Sequence, residues 1–162
     1  MDVSIIYVNY RTSRLVIDSI NSVKEKTQGI LYEIIIVDNN SGDGSLAKIQ
    51  EIHPDVITIQ SEKNVGFGQA NNLGLKKADG KYIFFLNPDT LLRNNAIGEL
   101  FRFLELNMNV GACGGNLYDE EGNATTSFSR KYPSFLWELL GILYIPSLCF
   151  SSCLLYTSDA AD

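Results

Sequence analysis

Four short, almost unbroken apolar runs decide what this chain can fold into. They are Val3-Ser4-Ile5-Ile6-Tyr7-Val8, Glu33-Ile34-Ile35-Ile36-Val37, Val56 to Gln60 and Lys81 to Leu86. These runs are continuously apolar rather than alternating, which predicts strands buried on both faces. The stretches between them have helical spacing. Thr12 to Lys24 carries Val16, Ile20 and Val23, spaced four and three, with Thr12 or Ser13 placed to cap it. Ser45 to Ile52 predicts a short helix, and Gly68 to Ala78 another despite Gly74. Asp79-Gly80 predicts a turn. Asn94 to Leu106 puts Ile97, Leu100, Phe101 and Leu104 on one helical face. Strand and helix alternating in this way predict an α/β fold with a mostly parallel central sheet and helices on both faces.

Sheets of this kind bind ligands beyond the carboxyl ends of their strands. The segments following the first, second and fourth runs are Asn9-Tyr10-Arg11, Asp38-Asn39-Asn40-Ser41 and Asn87-Pro88-Asp89. All are polar, and the topology puts all of them on one rim.

Charge limits what that rim can bind. The chain has 162 residues, a net charge of −6 and a pI of about 4.7. Its length suits one domain with a real core. Its charge argues against a nucleic-acid binder that works by neutralising phosphates. A small anionic ligand then needs local donors or a metal ion, because the overall field repels it. The three cysteines are Cys113, Cys149 and Cys153, with no CxxC pair, and the one histidine is His53. Zinc-ligand spacing is absent, and the cysteines read as reduced thiols of a cytosolic protein. His53, beside Pro54, reads as a surface loop residue. The first strand begins two residues from the start, with no signal peptide before it, and no apolar run reaches the length of a membrane span.

From Val110 the pattern changes. Val110 to Leu117 predicts a fifth strand broken by Gly111, Gly114 and Gly115. Asp119 to Asn123 predicts a turn, with a short β excursion through Thr126. Ser134 to Phe150 is strongly apolar, interrupted by Gly141 and stopped by Pro146. It suits packing on protein, or a helix lying on a membrane surface.

Three features carry chemistry, and each has a plainer alternative. Asp38 can accept from a pyrimidine N–H or from ribose hydroxyls, or it can close its own loop as an Asx-turn. In Asn64-Val65-Gly66-Phe67-Gly68-Gln69-Ala70-Asn71-Asn72, the glycines let backbone approach a ligand and the helix start offers N–H groups to a phosphate. The alternative is a tight turn. Asp89 is an oxygen ligand suited to Mg²⁺ or Mn²⁺, aimed by a proline that fixes one torsion. Alternatively, Asp89 or Thr90 caps the next helix.

Four segments taken in order resemble the family 2 glycosyltransferases, and within them the rhamnosyltransferase-like branch. They are Val3 to Tyr10, Ile36 to Ser41, Asn64 to Asn72 and Leu86 to Thr90, and the agreement runs over about the first 130 residues. The resemblance implies a GT-A fold, incomplete at the C-terminus. It also implies inverting, metal-dependent transfer of a sugar from a nucleotide-diphosphate donor, dTDP- or UDP-linked, to an acceptor hydroxyl. The acceptor is a glycan or lipid-linked glycan in cell-surface polysaccharide synthesis. The residue matching Asp38 contacts the base, Asn9 to Arg11 line the same pocket, and Gly66 to Asn71 border the nucleotide and phosphates. The implied donor-binding set is Asn9, Tyr10, Arg11, Asp38, Asn40, Asn64, Gly66, Phe67, Ala70, Asn71 and Asn87. Asp89 matches the last carboxylate of the family's Asp-x-Asp motif and is the implied ligand of Mg²⁺ or Mn²⁺.

Two departures stand out. The first Asp-x-Asp position is Asn87, whose amide can still hydrogen-bond ribose or a metal-bound water. The general base of an inverting transfer is expected beyond the end of this chain, and Asp119, Glu120 and Glu121 lie too early for it. The domain reading is therefore a GT-A domain over 1–150, comprising the donor-binding half and the start of the acceptor region. Residues 151–162 read as a non-native, poorly packed tail. The expected setting is cytoplasmic, peripheral to the inner face of the membrane, with no nucleic-acid partner. A nucleotidyltransferase would want a glycine-rich basic loop after the first strand, and Asn9-Tyr10-Arg11 has no glycine. The remaining alternative is a non-catalytic module that binds a nucleotide-sugar, a membrane or a partner.

Overall fold

The computed structural model describes residues 1–119 and 121–125. They fall into two units, Met1–Gly111 and the residues from Ala112 onward. The first contains β1 (Val3–Asn9), α1 (Ser13–Lys26), β2 (Tyr32–Asp38), α2 (Ser45–Ile52), β3 (Ile57–Gln60), α3 (Phe67–Leu75), β4 (Tyr82–Phe85) and α4 (Ala96–Leu106). The strands are all parallel, in the order β3-β2-β1-β4. The alternation expected from the sequence is borne out, with element ends moving by up to three residues.

All seven residues of β1 are buried, because it has a strand on each side and helices on each face. Ile5 and Tyr7 join Ile34 and Ile36 in a core closed by Val16, Ile20 and Val23 of α1, Ile49 of α2 and Ile97 of α4. Each such side chain contributes roughly 1.5–3 kcal/mol when fully buried. The opposite face holds a smaller cluster of Val8, Val37 and Ala70 of α3. Here α3 lies almost on the sheet. A Cβ on Gly74 would stand 2.6 Å from Ile6 Cγ2 and 3.3 Å from Val37 Cγ2. Glycine is what permits that approach.

The route of the chain places the site. From β1 to β2 to β3 it crosses over with α1 and α2 on one face. With α3 it changes face and reaches β4 on the far side of β1. Open α/β sheets put their ligands at such a reversal, beyond the carboxyl ends.

Several local expectations are corrected. Thr12 occupies the cap position of α1 but makes no capping bond. Its N–H and hydroxyl both donate to Asn9 Oδ1, at 3.2 and 3.0 Å. Neither Asp89 nor Thr90 caps the next helix, since α4 begins at Ala96 with Asn95 at the cap position. His53 is no surface loop residue. It ends α2, is only 5% exposed, and has Nδ1 3.3 Å from Lys24 Nζ. Lys24 in turn pairs with Asp55 at 2.5 Å.

In the second unit, β5 (Leu117–Tyr118) and β6 (Ala124–Thr125) form an antiparallel hairpin. The predicted turn lies between them, closed by Asp119 N–H to the Asn123 carbonyl at 3.0 Å. Of the fifth strand expected over 110–117, only Leu117 is strand, as the first residue of β5. Gly111, Gly114 and Gly115 bring no side chain to pack, and a Cβ on any of them would meet nothing within 4 Å. The apolar stretch Ser134 to Phe150 and the tail 151–162 lie outside the described residues. No helix among the described residues is long and apolar enough to cross a membrane.

Two outcomes follow from this packing. A Cβ on Gly80 would sit 2.4 Å from the Ser4 backbone nitrogen, whereas one on Gly68 meets nothing within 4 Å. Gly80→Ala is expected to cost about 1–3 kcal/mol in urea unfolding, and Gly68→Ala to be neutral or slightly stabilising. Burial, and then the Lys24 ammonium, push His53 below its ordinary pKa, with Asp55 opposing. The unfolded chain therefore takes the proton first. Stability should fall as pH drops from about 6.5 through the folded-state pKa. A melting-temperature series against pH, repeated on His53→Gln with that limb flattened, checks this.

Candidate functional site

The last residues of three neighbouring strands form a polar row across an otherwise apolar sheet. Asn9 pairs in register with Asp38, and Asp38 with Gln60. Asp38 is 2% exposed, and its carboxylate takes four hydrogen bonds. Asn9 Nδ2 and Ser41 Oγ donate to Oδ1 at 2.6 and 2.5 Å. The Ser41 N–H and Gln60 Nε2 donate to Oδ2, each at 2.9 Å. Burial alone would push the Asp38 carboxyl up. The donors from Ser41, Gln60 and Asn9 outweigh it and hold the carboxyl below the ordinary range. The loop-closing role is thus built, and it ties three strand ends together.

Ser41 extends the network to Arg11. Its hydroxyl accepts from the Arg11 N–H at 2.9 Å, and its carbonyl from Arg11 Nε at 3.2 Å. These bonds hold Arg11 at φ 59°, a left-handed conformation unusual for a long side chain. The guanidinium carbon lies 5.4 Å from the centre of the Tyr10 ring, within cation–π range. Asn40 is also left-handed, at φ 63°, which asparagine tolerates better.

Beside this network lies a cleft of about 290 Å³ lined by Val8, Tyr10, Thr12, Asn39, Asn64, Gly66, Phe67 and Pro88. Tyr10 and Phe67 are 44% and 57% exposed, so two aromatic faces are available to a flat ligand. Two asparagines shape its floor. Asn39 Nδ2 donates to Asn64 Oδ1 at 2.8 Å, and Asn39 Oδ1 accepts from the Val65 N–H at 2.9 Å. That holds the loop entering α3, whose cap residue Gly66 has φ 80° and whose first turn has no acidic residue. The partial positive charge of α3's start therefore meets the cleft unopposed by a local carboxylate. A second hollow, of about 480 Å³, lies toward α2 and is lined in part by Asp38, Asn40, Gly44, Ser45 and Gln60.

Asn87-Pro88-Asp89-Thr90 is a turn closed by the Thr90 N–H to the Asn87 carbonyl at 3.1 Å. Proline suits its second position. Asn87 and Asp89 are exposed, and Pro88 lines the cleft. Among the described residues no three His, Cys, Asp or Glu gather into a metal cluster. A lone exposed carboxylate beside a ligand cleft fits Mg²⁺ or Mn²⁺ shared with substrate phosphates, which need only one or two protein carboxylates.

The structure divides the residues proposed from sequence. Tyr10, Asn64, Gly66 and Phe67 share the first cleft. Asp38 and Asn40 face the second hollow. Asn9 is buried in the polar row. Ala70 packs on Val8 and Val37, and Asn71 Nδ2 turns back to the Phe67 carbonyl at 3.1 Å. Arg11 stacks on Tyr10, and Asn87 and Asp89 sit on the neighbouring turn. The donor-binding set drawn from sequence left out Asn39, Ser41 and Gln60, although Asn39 and Ser41 belong to the rim segment it named. Ser41, three residues after Asp38, was the readable signal, since its N–H and hydroxyl are both within local reach of that carboxylate.

The family model for glycosyl transferase family 2 matches residues 4–156. The chain belongs to that family. An uncharacterised glycosyltransferase of Nostoc sp. is 32% identical over 114 residues, covering 68% of this chain and 35% of that protein. The minor teichoic acid biosynthesis protein GgaB of Bacillus subtilis is 30% identical over 112 residues, covering 67% of this chain and 12% of GgaB. S. aureus TarS 1–349 in complex with UDP matches with a TM-score of 0.60 at 21% identity, covering 67% of this chain and 33% of that one. A mannosyltransferase from Pyrobaculum calidifontis, in complex with GDP-Man and Mn²⁺, matches at 0.57 with 22% identity, over 63% and 32%. The last two establish the expected GT-A fold. The chain spans about a third of the length of the Nostoc relative and of both solved chains.

The polar row generates a prediction. Asp38→Asn sets an amide N–H₂ against donors and should cost about 1.5–3 kcal/mol in denaturant unfolding. Because the folded Asp38 carboxyl lies below its unfolded value, its stabilisation is present above about pH 3.9 and is lost as pH falls through the folded-state pKa. The variant should lack that part of the acid transition.

Proposed function

We propose that this chain is the donor-binding part of an inverting glycosyltransferase, which moves a sugar from a nucleotide diphosphate to an acceptor hydroxyl. The observation that carries the reading is one juxtaposition. An aromatic-walled cleft, the start of α3 and the turn bearing Asp89 meet at the carboxyl ends of a parallel sheet. The nucleotide lies across the cleft, with its base against Tyr10 or Phe67. Its phosphates point to the start of α3 and to Asp89. Asn64 and Asn39 hold the loop between them. Asp89, with Asn87 through a water, would hold Mg²⁺ or Mn²⁺, which supplies neutralisation of the leaving diphosphate. A chain of net charge −6 needs such local compensation to bind an anion.

In the transfer, the acceptor hydroxyl attacks the anomeric carbon as the bond to the diphosphate breaks, and a general base takes the hydroxyl proton. We assign that base to none of the described residues. The solved neighbours support the donor class, since they hold UDP and GDP-Man. The teichoic acid role in GgaB's name supports a cell-surface glycan or lipid-linked glycan as acceptor. We propose the cytoplasm, at the inner face of the membrane, as the setting of that work. Rhamnose as the sugar rests on sequence resemblance alone.

The test is a thermal-shift titration of the chain and of Asp89→Ala with UDP and dTDP, each with and without Mn²⁺. A ligand that binds only the folded state, at a hundred times its Kd, stabilises by about 2.7 kcal/mol. For a domain of this size that is a rise of roughly 5–10 °C. A Mn²⁺-dependent rise lost in Asp89→Ala is expected. Cooperative melting with no shift for either nucleotide would overturn the reading.

A further inference from the structure

Asp89 accepts no hydrogen bond among the described residues, so its backbone placement decides where its carboxylate points. One end of its turn is fixed by the sheet. Leu86 is 7% exposed, and its N–H donates to the Ile6 carbonyl at 3.1 Å. The other end is fixed by α1. Ser19 Oγ donates to the Thr90 carbonyl at 2.5 Å. That uses the only hydroxyl hydrogen of Ser19, so Tyr7 Oη is the donor across the 3.0 Å that separates it from Ser19 Oγ. Tyr7 is fully buried on β1, and Ser19 is fully buried on α1. One turn further along, Ser22 Oγ donates to the Ser19 carbonyl at 2.7 Å and accepts from the Leu92 N–H at 3.0 Å.

We propose that Ser19 and Ser22 are positioning residues for the metal-binding carboxylate of Asp89. Tyr7, Ser19 and Thr90 form a directed relay from the centre of the sheet to the backbone just after Asp89. Ser22 holds the Leu92 amide two residues further on. With Pro88 fixing one torsion, the turn is then constrained from both ends and from within. This matters because a single carboxylate would have to hold the ion together with substrate phosphates, and Mg²⁺ tolerates little deviation in its ligands. Nothing in the relay touches the cleft that takes the base. Its loss should weaken the metal-dependent part of donor binding and spare the metal-independent part. The inference rests on the assignment of Asp89 above.

The experiment measures Kd for UDP and for dTDP, with and without Mn²⁺, on the chain and on Ser19→Ala, Ser22→Ala and Tyr7→Phe. Ile49→Val, in the core contact of α2, is the control for lost stability alone. The quantity read is the ratio of affinity with Mn²⁺ to affinity without it. In the relay variants that still melt cooperatively, the ratio should fall at least threefold, while the metal-free Kd stays within twofold. Ile49→Val should keep the parent ratio. A parent-like ratio in Ser22→Ala and Tyr7→Phe, or an equal fall in Ile49→Val, overturns the positioning role. A ratio of one in the parent chain itself overturns the metal assignment of Asp89, and this inference with it.

Discussion

The carboxylate of Asp38 is the constraint on which the rim depends. A parallel sheet ends in backbone that must leave it, and here three strand ends leave it together. Four uncharged donors converge on one buried negative charge, from β1, β3 and the loop after β2. Hydrogen bonds to a charged group are worth about twice neutral ones. The charge has no salt-bridge partner among the described residues, so every donor is needed to offset its desolvation. The shape of the loop after β2 and the anchoring of Arg11 through Ser41 follow from satisfying that one group.

This alters what Asp38 is able to do for a ligand. A carboxylate with all its acceptor sites in use is first a structural element. A nucleotide that reached it would share or displace an internal donor. The surface offered without such cost is the neighbouring cleft, with its two exposed aromatic rings and the asparagine pair beneath. The rim is thus split between residues that hold the strand ends and residues that face outward.

Much of the fold could be read because the strands are buried on both faces. Burial of that kind writes itself as an unbroken apolar run, and α2 could be placed residue for residue. What failed had local causes. Thr12 looks like a cap, but the side chain of Asn9 captures its hydroxyl. His53 looks like a loop residue beside a proline, but α1 supplies Lys24 and the burial. The glycines after Val110 cannot sustain the strand that the flanking residues suggest. For the site, the rim could be read from topology and the residue types at its edge. The division into two hollows could not, and neither could the left-handed backbone at Arg11 and Asn40. The relay from Tyr7 to Thr90 was equally hidden, since its members are separated by twelve and seventy-one positions.

The left-handed backbone at Arg11 also sets a direction for sequence change. A long side chain in that conformation carries a local strain of roughly 1–2 kcal/mol that glycine would not. Glycine at this position would relax the backbone while removing the guanidinium that stacks on Tyr10. Selection for thermal robustness alone would therefore favour glycine and strip the cation from the Tyr10 ring, and selection that keeps that contact would preserve the strain. Position 11 is a place where the two pressures pull apart, and an engineered variant of this domain would have to choose between them.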